Sequence, residues 1–293
     1  MFAFDSRHSL ANRWPRGLCS PGVPCKNMAM RINKDDADAL RNAVKLLEHP
    51  SLAARLTNML GKPVELLGRA LPASASEAIA TATTKSLEAA LKVALLTIRS
   101  QSQESSQLLH RALAIASGAA GGAFGFFSLP LELPVSTIII LRSILDIARS
   151  DGEDLTDPEA TLACVEVFGL GGRTEIDDSA NSDYFVIRGI LAKSVTEAAR
   201  FIAERGIVEK GSPVLVRLIT QVASRFGLVV TQKVAAQTIP VIGALGGAAV
   251  NYAFIDHFQS VARGHFTVRR LERKYGKEIV FAAYERFRRE TMS

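Results

Sequence analysis

Residues 76–98 read SEAIATATTKSLEAALKVALLTI, and their spacing decides the fold. Ile79, Thr83, Leu87, Leu91, Ala94 and Ile98 recur every three or four positions, while Thr84, Lys85, Glu88, Lys92 and Arg99 fall on the other side. With about 3.6 residues per turn, the first set makes one apolar face and the second a wet one. The stretch is therefore an amphipathic helix turned towards a core.

The segments on either side carry the same period. Asn33 or Asp35 is placed to cap a helix bearing Ala39, Ala43, Leu46 and Leu47, which stops near Pro50. Short helices are expected over Ser51–Leu60 and Pro63–Leu71. Downstream, Gly-Ala-x-Gly-Gly-Ala runs from Gly118 to Ala123 and returns from Gly243 to Ala248, each time in an uncharged stretch beside proline. Between Arg111 and Arg142 the one charge is Glu132, inside Pro130-Leu-Glu-Leu-Pro134. Prolines this close end helices. The simplest reading is a hairpin, out over about 104–127 and back over Pro134–Arg149, with an Arg142–Asp146 pair on the returning arm.

Thr156-Asp-Pro-Glu is a helix start, with proline in the first turn and acids at the positive end. That helix carries Leu162, Val165, Val167 and Phe168 and stops at Gly169-Leu-Gly-Gly172. A polar loop over 173–182, helices over Tyr184–Glu204 and Pro213–Thr238, a break at Pro240 and a helix over Ile242–Arg263 follow. In the basic end, Val268, Leu271 and Tyr275 make one face, and Ile279, Ala283 and Phe287 another. No βαβ alternation or period-2 strand is present, so the fold class is all-α: a multi-helix bundle with the two Gly-rich apolar segments at its core. Residues 29–293 form a single helical domain in this reading. Residues 1–28 are basic and irregular and read as a disordered extension, with Met28 or Met30 as alternative starts.

Composition narrows the classes of function. The 48% hydrophobic fraction is Ala, Leu, Ile and Val with few aromatics, which suits helices, and the mean hydropathy of +0.16 keeps membrane contact open. The net charge of +6 is concentrated at the ends: residues 263–293 hold nine basic side chains against Glu272, Glu278, Glu285 and Glu290. Such ends suit an anionic membrane surface, and a solvated terminal helix is the plainer reading. No nucleic-acid partner is expected. Cys19, Cys25 and Cys164 have no disulfide or metal spacing, so the setting reads as reducing and cytoplasmic, without metal or cofactor.

Several residues stand out chemically. Glu132 in its apolar surroundings must be hydrated, paired or protonated, or else cap the helix at Pro134. His257 and His265 follow the second Gly-rich segment, near Asn251, Asp256 and Arg263. With Glu132 they are the low-ranked acid/base candidates of a hydrolase-like alternative; histidines packing a helix are the plainer reading. Phe168-Gly-Leu-Gly-Gly-Arg-Thr174 could be an anion nest with Arg173, but a helix ending in glycine accounts for it. No P-loop, dinucleotide fingerprint or nucleophile elbow occurs. Gly118, Gly121, Gly122, Gly243, Gly246 and Gly247 are expected at close helix packing. Phe124, Phe126, Phe127, Arg269, Arg270, Arg273 and Lys274 are expected to contact membrane or ligand.

From about residue 60 onward the chain resembles the EcsC family of bacterial proteins. The resemblance rests on Pro130-Leu-Glu-Leu-Pro134 with Thr137 and Leu141-Arg142-Ser-Ile, on Ile147-Ala-Arg-Ser-Asp-Gly152, Asp157-Pro158-Glu159 and Tyr184…Arg188, and on Pro240 through Tyr252. It ends with Asp256-His-Phe-Gln, Ala262-Arg-Gly-His-Phe and Arg270-Leu-Glu. It implies an intracellular bacterial helical protein associated with membranes or secretion, and it supplies no catalytic residues and no reaction. The combined expectation is a non-enzymatic, cytoplasmic protein, peripheral at the inner membrane, that binds membrane surface or an apolar ligand and is linked to transport or secretion. The alternatives are the hydrolase and a protein–protein interaction module with a transporter or secretion component as partner.

Overall fold

Asn33 caps the first helix as its position predicts: its Oδ1 accepts the Asp36 N–H at 2.7 Å, and α1 (Lys34–Glu48) begins at the next residue. The computed structural model describes residues 32–48, 52–61, 63–99, 129–172, 184–206, 212–237 and 244–292. The expected extension 1–28, outgoing arm 104–127, loop 173–182 and break at Pro240 lie outside the described residues, as do Gly118, Gly121, Gly122, Gly243, Phe124, Phe126 and Phe127.

Helices account for nearly all of the described chain, with no strand among those residues. After α1 come α2 (Leu52–Leu60), α3 (Val64–Arg69) and α4 (Ala73–Arg99), then α5 (Leu129–Ser150), α6 (Pro158–Leu170) and α7 (Tyr184–Arg205). The last three are α8 (Pro213–Gln237), α9 (Ala244–Tyr275) and α10 (Lys277–Met292). The opening stretch behaves as its period requires: Ile79, Thr83, Leu87, Leu91 and Ala94 of α4 are buried, and Lys85, Glu88 and Lys92 are exposed.

At the centre lies α6. Asp157 caps it by accepting the Glu159 N–H at 3.0 Å, with Pro158 at its first position. Every residue from Ala160 to Leu170 is buried, because α4, α5, α7, α8 and α9 all pack against this one helix. A helix apolar on every side belongs inside a bundle. Phe168 anchors the centre, with ring centroids 5.0 Å from Phe226 of α8 and 5.3 Å from Phe258 of α9.

Three expectations need correction. Pro134 does not open a new helix; it lies inside α5. It sits in the second turn, where only the Pro130 carbonyl loses a partner, and the hydroxyls of Ser136 and Thr137 donate to the Leu133 carbonyl at 3.1 and 2.7 Å. The helix expected to stop at Arg263 runs on to Tyr275, because Phe266, Val268 and Leu271 keep meeting the core. Gly276 then turns the chain into α10 with a φ of +90°, a left-handed conformation that glycine adopts without a Cβ penalty. Lastly, Asp146 pairs with Arg149 at 3.2 Å rather than with Arg142, whose Nε and Nη1 are buried without a hydrogen-bond partner.

By length and composition α8 is the one described helix able to cross a membrane, though a buried core helix meets the same criterion. Its Lys233 is fully buried and paired, so in this fold the helix faces protein at that depth.

Candidate functional site: a charged cleft on α6, α7, α9 and α10

Consecutive turns of α9 project Arg269, Glu272 and Arg273 to one side, since residues three and four apart share a helix face. Helix α7 presents Arg188 opposite them, α6 presents Glu159 and Glu166, and α10 begins beside them with Lys277. Together these residues line a cleft of about 320 Å³.

Two bidentate pairs brace its walls. Arg188 donates from Nη1 and Nη2 to the two carboxylate oxygens of Glu272 at 2.8 and 2.7 Å. Arg269 donates to both oxygens of Glu153, in the turn after α5, at 2.8 and 3.1 Å. Arg273 adds a further hydrogen bond to Glu153 and one to the Asp151 carbonyl at 2.7 Å. Planar forks of this kind hold both partners in fixed orientations. Burial works against the Arg188 charge, but the Glu272 carboxylate outweighs it and keeps the guanidinium protonated. Burial also opposes ionisation of Glu153, and Arg269 with Arg273 outweigh it, holding that carboxyl below its ordinary value.

Glu166 differs from these carboxylates. It is 3% exposed and its Oε1 has no hydrogen-bond partner. Burial pushes its carboxyl up to about 7, with Arg188 and Arg269 pulling the other way. A carboxyl group in that range changes protonation near neutral pH, and perturbed acids of this kind concentrate at functional sites. Under it, the Tyr184 hydroxyl and His265 Nδ1 lie 2.8 Å apart, and His265 Nε2 is buried without a partner. Burial drives His265 well below its ordinary value, helped by Arg188 and Arg269, so the ring is neutral.

A largely apolar groove of about 570 Å³ adjoins the cleft, lined by Phe185 and Gly189 of α7 and by Glu278 and Phe281 of α10. Arg188, Ala192, Glu272 and Lys277 line both spaces. Phe185 and Phe281 stack edge to face at 5.0 Å, and Phe281 is 46% exposed.

The residues expected from sequence have varied settings. Glu132 is buried, and the Lys233 ammonium donates to it at 2.7 Å and to Asn251 Oδ1 at 3.1 Å. Burial lowers the Lys233 value and Glu132 partly restores it. His257 Nε2 bonds the Gly171 carbonyl at 2.9 Å, and burial lowers that ring to about 4. The three acid/base candidates thus have three different partners: Lys233, Gly171 and Tyr184. Arg269 and Arg273 belong to the cleft, whereas Arg270 pairs with Asp151 at 2.9 Å and Lys274 with Asp36 at 2.6 Å. Gly246 and Gly247 lie near the start of α9.

The Gly169–Gly172 corner is a helix end, as the sequence indicates. Arg225 donates to the carbonyls of Gly169 and Gly172 at 3.1 and 2.9 Å, placing a cation at the negative end of α6. A Cβ on Gly172 would lie 2.4 Å from the Arg225 carbonyl oxygen. Among the described residues no cluster of three or more His, Cys, Asp or Glu is placed to hold a metal.

Sequence reasoning missed Glu166 and Lys233. Glu166 is the lone acid in the apolar run from Ala160 to Leu170, the same signal that singles out Glu132. Lys233 stands at the edge of an uncharged stretch that runs to Asp256, and nothing local marks it as the counter-charge of Glu132.

Comparison with curated proteins and with solved structures gives no significant match. A family model, the EcsC protein family, matches residues 35–271. That span reaches back into α1, further than the resemblance traced from the sequence, and includes every cleft residue except Glu272, Arg273 and Lys277. The chain belongs to the EcsC protein family.

Proposed function

We propose that this protein is a binding protein rather than an enzyme, and that it takes a small amphiphile. The polar head sits in the Glu166–Arg188 cleft, and the apolar part lies along Phe185 and Phe281. One observation carries the reading: the polar cleft and the apolar groove are contiguous and share Arg188, Ala192, Glu272 and Lys277. Ligand sites combine an apolar lining with a few convergent polar groups, and the two volumes fall within their usual range of about 300–1,000 Å³. Half-buried arginines locked to carboxylates give a preorganised head site, which lowers the cost of ordering on binding. An amphiphile also fits a protein working beside the inner membrane on the cytoplasmic side, in the service of a transporter or secretion component.

The test is native mass spectrometry and calorimetry with single-chain C12 amphiphiles of anionic, zwitterionic and cationic head groups. Ala192→Trp is the blocking variant: this exposed residue lines both spaces, so a large side chain there obstructs the junction without entering the core. Saturable one-to-one binding that Ala192→Trp abolishes, with helicity intact, is the expected result. No binding of any of the amphiphiles to folded protein refutes the reading.

A further inference from the structure

The charges of the cleft balance only while one side chain, Glu166, is ionised. The lining carries four cations, Arg188, Arg269, Arg273 and Lys277, against Glu159, Glu166 and Glu272. Glu153, bonded to Arg269 and Arg273, is a fourth acid at its edge. With Glu166 ionised the set is neutral; with Glu166 protonated it holds one excess positive charge. Glu272 and Glu153 are committed to arginines, whereas Glu166 lines the cleft and its buried Oε1 has no hydrogen-bond partner.

We propose that Glu166 is the head-group receptor of this cleft, that the ligand is a single-chain carboxylate, and that each ligand binds together with one proton held on Glu166. The inference rests on the amphiphile-binding reading above. A protonated carboxyl donates a short O–H···O⁻ bond to a ligand carboxylate, a charge-assisted interaction stronger than a neutral one. The excess positive charge of the protonated cleft matches a monoanion. The one bond made is the O–H of Glu166: a proton passes to it from solvent on binding and returns when the ligand leaves.

The groups facing Glu166 set this linkage. Glu159 on its own helix opposes ionisation, and Arg188 with Arg269 favour it. Tyr184 on α7, Glu272 and Arg273 on α9 and Lys277 on α10 complete the surround, with His265 of α9 bonded to Tyr184. Helices α4, α5 and α8 also pack on α6 but contribute no charged side chain to the cleft lining. With the Glu166 carboxyl raised to about 7, a neighbouring anion raises it further. Protein and ligand then take up a proton together above pH 7, whereas below it the proton is already in place.

The experiment is calorimetric titration of the full chain with dodecanoate, below its micelle concentration, at pH 6, 7 and 8 in buffers of differing ionisation enthalpy. Proton uptake should be near zero at pH 6 and approach one per ligand at pH 8. Affinity should fall by up to about tenfold per pH unit above 7. Glu166→Gln, whose amide still donates, should bind at pH 8 without proton uptake and with little pH dependence. Several outcomes overturn the inference while leaving amphiphile binding intact. They are equal wild-type affinity at pH 6 and 8 without uptake, an unchanged pH profile in Glu166→Gln, or preference for dodecyltrimethylammonium or a C12 lysophospholipid. Should Glu166→Gln fail to fold, the wild-type proton count alone decides. Absence of binding by all of these amphiphiles refutes the function itself.

Discussion

Replacing Glu132 by Gln removes the counter-charge of a cation that has no access to water. The Lys233 side chain is 0% exposed and that of Glu132 5%, with 2.7 Å between Nζ and Oε1. Asn251 and the Phe254 ring, 4.7 Å from Nζ, remain as partners, but neither carries charge. Breaking a buried pair from one side costs about 3–5 kcal/mol, because a desolvated ion is stranded. In a protein of this size that corresponds to a fall of about 10 °C in Tm. The loss should also depend on pH. Burial already lowers the Lys233 value, and without Glu132 it falls further, so the unfolded chain binds more protons than the folded one. Stability of Glu132→Gln therefore rises with pH up to the ordinary lysine value and flattens above it. The double variant Glu132→Met/Lys233→Met strands no charge and should return to within about 1 kcal/mol of wild type. Urea unfolding followed by circular dichroism at pH 6, 7.5 and 9 measures all three. If Glu132→Gln lies within about 0.5 kcal/mol of wild type, or the double variant is no more stable than Glu132→Gln, the account of this pair is wrong.

Three further outcomes are expected. Gly172→Ala places a methyl 2.4 Å from the Arg225 carbonyl oxygen; it should cost about 1–3 kcal/mol in urea unfolding, and a neutral result would mean that the corner moves freely. Tyr184→Phe leaves His265, whose Nε2 already lacks a partner, without its Nδ1 bond. The expected loss is about 1–3 kcal/mol, read by thermal unfolding and refuted by an unchanged Tm. Glu166 is protonated more readily in the folded chain than in the unfolded one, so its contribution is complete below about pH 4.5 and lost as pH rises through about 7. His257 and His265 act in the opposite sense, favouring the fold as pH rises towards their ordinary value. Wild type compared with Glu166→Gln isolates the carboxyl: the wild type should lose on the order of 3 kcal/mol more than the variant between pH 5 and 8. Parallel stability–pH curves would contradict this.

Helix type and most helix ends were legible without coordinates, because local chemistry decides them. The Asn33 cap and the Asp157-Pro158 start act within a few residues of chain. The amphipathic face of α4 follows from the rotation per residue alone. The continuation of α9 past Arg263 and the inclusion of Pro134 in α5 were not local matters. Both depend on neighbouring helices that reward a longer buried face by more than the local sequence resists it.

The candidate site divides in the same way. An isolated acid among apolar residues announces itself in sequence, as Glu132 did and Glu166 could have. Its partner does not, since Lys233 lies 101 positions from Glu132 and the Arg269–Glu153 fork spans 116. Those pairings are set by how helices cross, and no periodicity records a crossing. By itself the sequence determined an all-helical chain with a few improbable charges in its apolar interior. The tertiary structure alone decided which of those charges neutralise one another and which one, Glu166, is left facing a cleft, because a buried charge is stable only where packing delivers its partner.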